Sequence, residues 1–392
     1  MSADYFKKRA RSLQSEWIKI RRHLHQNPEL SFEEGETATY LMEKLSEAQI
    51  EYKSNIAGNG IVATIQGKVQ SDKVVCLRAD MDALPIQELN SSEYCSVKAG
   101  KMHACGHDVH MSCVLGAAIL LNELRDDLCG TVRIIFQPAE EKLPGGASLM
   151  IKEGVLENPR VSAIFGLHVE PRMSVGQIGV CPGGFMASCD ELFIDIIGKG
   201  GHAALPEQVV NPVWAAAEWI QKTSSKFKEM NVNGLKTVLS YGKISSNGGA
   251  TNVIPELVRI EGTFRSLDEA WRQQVHKMLY DSVSEIELST LAQIKLNLIK
   301  GYPSLYNDPQ LMSWFVGNAS QYIVNQNIIA LSPRLTSEDF AYYSRQIPAC
   351  FFRLGIGKEV GVHNAHFDVN EECLQVGVGL LAHTAQEYLN YT

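Results

Sequence analysis

The chain reads as an α/β protein with a mixed, mostly parallel sheet flanked by helices, into which a smaller α+β segment of ferredoxin-like order is inserted. Three observations predict this. Nearly continuous apolar runs, such as Val74-Val75-Cys76-Leu77 and Ile134-Ile135-Phe136, read as strands buried on both faces, and helical patterns separate them. Successive runs end in carboxylates or a histidine, at the position where open α/β sheets bind ligands. From 187 to 298 the pattern changes to strand-helix-strand-strand-helix-strand, with apolar and polar residues alternating. At 392 residues the chain exceeds one ordinary core. The expected division is a discontinuous domain over 1–186 and 299–392, with an insert over 187–298.

In order, helical spacing of Leu13, Trp17, Ile20 and Leu24 predicts a helix over 4–26, and a second follows over 33–48. Strands are predicted at 60–65 and 73–78, the latter running into Asp80 and Asp82. A helix from Val109 to Leu128 leads to a strand at 131–136 that ends in Glu140 and Glu141. A short helix near 146–154 precedes a strand at 163–167 that ends in His168. The insert offers strands at 191–197, 237–243, 256–264 and 293–298, with helices over 211–226 and 266–291. The chain then returns through a helix over 309–325, a strand at 350–355, a loop with His363 and His366, and a closing helix from Glu371.

Composition excludes several classes of function. With 45% hydrophobic and 20% charged residues the profile is that of a globular protein. The net charge of −8 is spread along the chain without a basic block, so nucleic acid is not an expected partner. No apolar run is long enough for a membrane span, and the first eight residues lack the apolar centre of a secretion signal. Nine cysteines without framework spacing predict reduced thiols and a cytoplasmic location.

The densest chemistry is Met102-His103-Ala104-Cys105-Gly106-His107-Asp108-Val109-His110. It reads either as a metal site or as a polar turn before a helix with Asp108 as N-cap. Elsewhere stand Asp80, Asp82, Glu140, Glu141, His168 and His363. Together with Cys105 and His107 these are too many donors for one tetrahedral zinc, and they suit two divalent ions about 3.5–4 Å apart. One acid must stay off the ions to move protons, and side chains at neighbouring positions such as Glu140 and Glu141 diverge. The reaction suggested is amide or ester hydrolysis by a metal-bridging water. The sequence holds no HExxH, GxSxG or P-loop. A thiol nucleophile at Cys105 paired with His107 or His110 is the weaker alternative, since residues so close in one loop leave no separate orienting partner.

The segments RADMDALPIQE (78–88), MHACGHD (102–108), FQPAEE (136–141), GLHV (166–169) and VHNAHFD (362–368) resemble the amidohydrolase branch of the aminoacylase and glutamate carboxypeptidase superfamily. That branch includes hippurate hydrolases, auxin-conjugate hydrolases and N-acetyl-diaminopimelate deacetylases. The resemblance covers nearly the whole chain. It implies a di-metal catalytic domain and an inserted dimerisation or lid domain. It implies Cys105, His107, Glu141, His168 and His363 as ligands of manganese or zinc, with Cys105 bridging, and Glu140 as general acid and base. Asp80, Asp82 and Asp108 would support them from behind.

GKGGHAALP (198–206) resembles the segment whose histidine, here His202, helps hold the oxyanion, in trans from a partner subunit. TNVIP (251–255) and GTFRS (262–266) place Asn252 and Arg265 where relatives hold a substrate carboxylate or carbonyl; a strand-end Arg paired with a surface acid is the alternative for Arg265. Lys142, Asn211 and Thr336 depart from the family pattern without touching an implied ligand. The expected protein is thus a homodimeric or larger amidohydrolase for N-acetyl or aryl-acyl amino acids or small peptides. N-acetyl-diaminopimelate deacetylase and dipeptidase are the alternatives, and a non-catalytic relative that binds such molecules comes last.

Overall fold

A computed structural model describes residues 1–391. The chain forms two compact units: Met1–Gly183 with Tyr306–Ser332 and Asp339–Thr392, and Gly184–Leu305 with Pro333–Glu338. The second unit thus begins before 187, runs past 298 and takes back a short later segment. Backbone hydrogen bonds hold that segment in place, from Ala187 N–H to Thr336 O (2.9 Å) and from Arg334 N–H to Phe185 O (2.9 Å).

The first unit is built on an eight-stranded mixed sheet. Its spatial order is Glu51–Ile56, Gly60–Gln66, Cys129–Gln137, Val69–Asp80, Ala163–Glu170, Ala349–Gly355, Ile178–Val180, Ile328–Ala330. The four central strands, Cys129–Gln137 through Ala349–Gly355, are mutually parallel, so their carboxyl ends share one edge. Val75, Leu77, Ile134, Phe136 and Phe165 are buried completely, as strands covered on both faces require. The helix His107–Glu123 buries nearly every residue and is apolar on all sides, the mark of a helix inside the core. Cys373–Asn390 packs against it, and Gly377 permits the approach, since a Cβ there would lie 2.5 Å from Cys113 Sγ.

The expected first helix is two, Ala3–Ser12 and Gln14–Gln26, broken at Leu13. The indole N–H of Trp17 donates to Ala10 O (2.9 Å), so a carbonyl near the break keeps a buried partner. His168 falls within its strand, not after it, and the helix of the dense segment begins at His107, two residues before Val109.

The second unit has the ferredoxin-like order. Its strands lie as Thr237–Ser246, Leu257–Ser266, Ser188–Ile197, Gln293–Lys300, each antiparallel to its neighbours. One face packs Leu192, Ile194 and Ile196 against Ala216 and Trp219 of helix Pro212–Met230 and Leu279 of helix Glu269–Thr290. Asn211 and Asp268 cap these helices by accepting from Val213 N–H (3.0 Å) and Trp271 N–H (2.6 Å). All nine cysteines are free thiols. Among the described residues no helix is long and apolar enough to cross a membrane.

His383 gives the first unit a pH-dependent term. It is buried between the rings of Phe6 and Tyr322, and neither ring nitrogen has a hydrogen-bond partner. Burial pushes its pKa down to about 4. A histidine whose folded pKa lies below the unfolded value of about 6.5 stabilises the fold fully above that value and loses the contribution as pH falls toward 4. Denaturant midpoints measured from pH 7 to 4 are expected to fall less steeply for His383→Leu than for the wild-type chain.

Candidate metal centre

The carboxyl ends of the parallel strands deliver the donors. Val69–Asp80 ends in Asp80 with Asp82 two residues on, Cys129–Gln137 leads into Glu140 and Glu141, and Ala163–Glu170 carries His168. Cys105 and His107 come from the turn that starts helix His107–Glu123. Gly106 holds that turn at φ +84°, and a Cβ there would meet Val169 Cγ2 at 2.5 Å, so no other residue fits. His363 sits in the loop after Ala349–Gly355 with φ +61°, pinned by its N–H to Ala104 O (2.7 Å).

These side chains converge. Candidate ligand atoms lie within 4.8 Å of one another in Cys105/His107/His168, in Cys105/Glu141/His363 and in His107/Glu140/Glu141. Cys105 is common to the first two sets, so one thiolate can serve both. His168 Nε2 is 3.4 Å from Cys105 Sγ, and His363 Nε2 is 3.2 Å from Glu141 Oε1. The tautomers suit ligation. His107 Nδ1 is 2.8 Å from the Asp82 carbonyl and His168 Nδ1 is 2.8 Å from the Val169 carbonyl. A carbonyl only accepts, so each Nδ1 carries a proton, and in the neutral ring each Nε2 has a lone pair.

The donors fit divalent cations. His107 Nε2 is buried with no hydrogen-bond partner, and Glu141 Oε1 stands 4.0 Å away. Glu141 lies in one set with Cys105 and in another with Glu140. Burial and then the Glu141 carboxylate push the Cys105 thiol up, and hydrogen bonds to Cys105 and then Glu141 push His363 up to about 10. Such a site concentrates negative charge that a cation would neutralise, and it would invert these shifts.

Asp80, Asp82 and Asp108, the carboxylates expected behind the ligands, each hold a different set of partners. The Asp82 carboxylate accepts from Glu140 N–H (3.0 Å), Glu141 N–H (2.9 Å) and Ser31 O–H (2.6 Å). Its oxygen is 3.3 Å from His107 Nδ1, but the nearer acceptor of that histidine is its backbone carbonyl. Asp80 accepts from His110 (2.7 Å) and Arg78 (2.6 Å) and lies 3.8 Å from His107 Nδ1. Asp108 is not the helix cap. Within the first turn it binds Arg21 and His25, both at 2.8 Å, and it belongs to none of the clustered donor sets. His103 is buried with neither ring nitrogen hydrogen-bonded, and burial pushes it down to about 3.

Sequence reasoning missed Glu34. It is fully buried and accepts from Ala139 N–H (2.8 Å) and Phe32 N–H (2.9 Å), while Asn59 donates to its second oxygen (3.1 Å). Ala139 has φ +51°, so Glu34 and Asp82 between them hold the strained turn that presents Glu140 and Glu141. In the second unit, His202 and Val253 pair on a two-stranded ribbon, and Ala203 N–H donates to Asn252 O (3.0 Å). His202 Nδ1 accepts from Ala204 N–H (3.1 Å), which leaves the proton of the neutral ring on Nε2. Arg265 donates to Ser337 Oγ (3.1 Å) and not to a surface acid in that bond. His366 lies outside the clustered donors; its N–H is held by Asn364 Oδ1 (2.8 Å).

A mixed sheet that brings Cys, His and Glu donors together at the ends of parallel strands provides the donor set of a metalloenzyme. Residues 76–387 match the model of peptidase family M20/M25/M40, and the chain belongs to that family. It is 38% identical over 381 residues to N-acetyl-L-cysteine deacetylase of Bacillus subtilis, with 97% of this chain and 89% of the relative covered. It is 37% identical over 384 residues to IAA-amino acid hydrolase ILR1-like 4 of Arabidopsis thaliana, covering 95% of this chain and 85% of the relative. Among solved structures, the YXEP protein of Bacillus subtilis, described as a dinuclear metal binding peptidase, superposes with a TM-score of 0.84 at 35% identity over 97% of this chain and all of its own. The chain is a metal-dependent amidohydrolase.

Proposed function

We propose that this amidohydrolase cleaves the amide of N-acetyl or aryl-acyl amino acids, using two divalent ions, manganese or zinc. The observation that carries the reading is the pair Glu140 and Glu141, fixed by one carboxylate behind them. Glu141 meets Cys105 and His363, while Glu140 stands beside His107. The printed activities of the two relatives, an N-acetyl amino acid deacetylase and an acyl amino acid hydrolase, support the substrate class.

In this reading Cys105, His107, Glu141, His168 and His363 would hold the ions, Cys105 being the donor common to two of the clustered sets. Bound there, the ions supply Lewis acidity toward a carbonyl and a water. Glu140 takes the proton from the attacking water and passes it to the leaving nitrogen; the C–N bond breaks, and a carboxylate and an amine leave. His202, with its Nε2–H, donates to the developing oxyanion from a second copy of the chain, and Asn252 and Arg265 orient the substrate. Thr237–Ser246, a ten-residue strand at one edge of its sheet, supports pairing with such a copy. Nine unpaired thiols support a cytoplasmic location.

The test is amine release from N-acetyl, N-benzoyl and N-indoleacetyl amino acids, dipeptides and N-acetyl-diaminopimelate, with added manganese or zinc and again after chelation. Metal-dependent turnover fastest on an acyl amino acid is expected. Fastest turnover of N-acetyl-diaminopimelate would replace this reading with the deacetylase alternative. Turnover indifferent to chelation would contradict it.

A further inference from the structure

His110 lies one helical turn beyond His107 and is fully buried. Both of its ring nitrogens are engaged. Nε2 lies 3.0 Å from Val169 N–H. A backbone N–H only donates, so Nε2 is the bare acceptor and the proton of the ring sits on Nδ1. Nδ1 accordingly donates to Asp80 Oδ1 at 2.7 Å. Asp80 Oδ2 is held in turn by Arg78 at 2.6 Å. His110 is close enough to Asp80 and His107 to be counted with them as a possible metal group, but its hydrogen bonds leave it no lone pair for an ion.

Val169 is therefore gripped from two sides. His110 takes its N–H, and His168 Nδ1–H donates to its carbonyl. The second bond is the one that frees His168 Nε2, which faces Cys105 Sγ. The two imidazole rings stand 4.7 Å apart. Gly106 completes the arrangement by letting Val169 approach a turn where no Cβ fits.

Resting on the reading that His107 and His168 are ligands, we propose that His110 is a positioning residue of the metal centre. By accepting from Val169 N–H and donating to Asp80 it ties the strand end that presents His168 to the helix start that presents His107. The two ligands, which come from elements far apart in sequence, are thereby held at one spacing, and the Val169 carbonyl that sets the His168 tautomer is held in place.

The test separates the two hydrogen bonds. In His110→Gln the side-chain oxygen reaches the former place of Nε2 and can accept from Val169. In His110→Asn the amide nitrogen reaches the former place of Nδ1 and can donate to Asp80. His110→Leu restores neither. Zn²⁺ binding to the full-length chain would be followed by competition with a chelating indicator, with kcat and KM measured separately and thermal melts as a check on folding. We expect His110→Leu to lose about 10–100-fold in Zn²⁺ affinity, with kcat falling alongside, and His110→Gln to regain most of that affinity and exceed His110→Asn. If His110→Leu does not fold, the ranking of Gln above Asn still decides. Equal affinities in wild type and all folded variants, or Asn equal to or above Gln, would overturn the proposal while leaving the metal centre intact. A wild-type chain that binds no Zn²⁺ would instead bring down the ligand reading itself.

Discussion

Replacing Glu140 with glutamine is expected to lower kcat by about 10²–10⁴-fold, the usual contribution of general acid and base catalysis, while the chain keeps its fold and its ions. The expectation follows from how the residue is held. Its backbone N–H is anchored to Asp82 Oδ1 at 3.0 Å, so the turn does not depend on its side chain. The carboxylate is nearly buried, beside His107, while Glu141 takes the side of Cys105 and His363. An amide of the same shape fills the space but cannot take a proton from water. KM should move little, because the group acts on protons in transit and not on the bound substrate. Steady-state kinetics on the best acyl amino acid, with metal content measured on the same sample, check this. Wild-type kcat in the glutamine variant would remove Glu140 from the mechanism.

The largest effect on the fold around the centre is expected from Asp82→Ala. Its carboxylate is buried and accepts from two backbone N–H groups and from the Ser31 hydroxyl. Truncation leaves those donors without a partner in a place water does not reach. The cost should be about 3–5 kcal/mol, the range for removing one side of a buried charged contact. Glu140 and Glu141 lose their anchor together, so metal affinity should also fall by about 10–100-fold. Denaturant unfolding of the metal-free variant measures the first effect without a contribution from bound metal, and a metal titration measures the second. A variant as stable as wild type and with unchanged affinity would mean that Glu34 alone holds the turn.

Much of this was legible in the sequence because the signals are local. A buried strand announces itself by an apolar run, and the donors sit just beyond such runs, at Asp80 and Asp82, at Glu140 and Glu141, and at His168. The ferredoxin-like order was readable from the succession of strands and helices, helped by clear alternation in Ser188–Ile197, which buries one face. What escaped is what only tertiary pairing creates. The strands Glu51–Ile56, Ile178–Val180 and Ile328–Ala330 are short or exposed, and neighbours in the sheet define them. Glu34 sits in an acidic stretch that reads as solvated, yet its acceptor role depends on Ala139, over a hundred residues away. His110 looked like one more possible donor or base. Only the approach of Val169 shows that both its nitrogens are engaged.

The most direct test of the account is the number of divalent ions bound per chain, counted by elemental analysis after dialysis against manganese or zinc. Five ligands, with Cys105 shared between two sets, predict two ions per chain, in the wild type and in Glu140→Gln alike. One ion or none at saturating metal in the wild type would contradict the shared-thiolate centre.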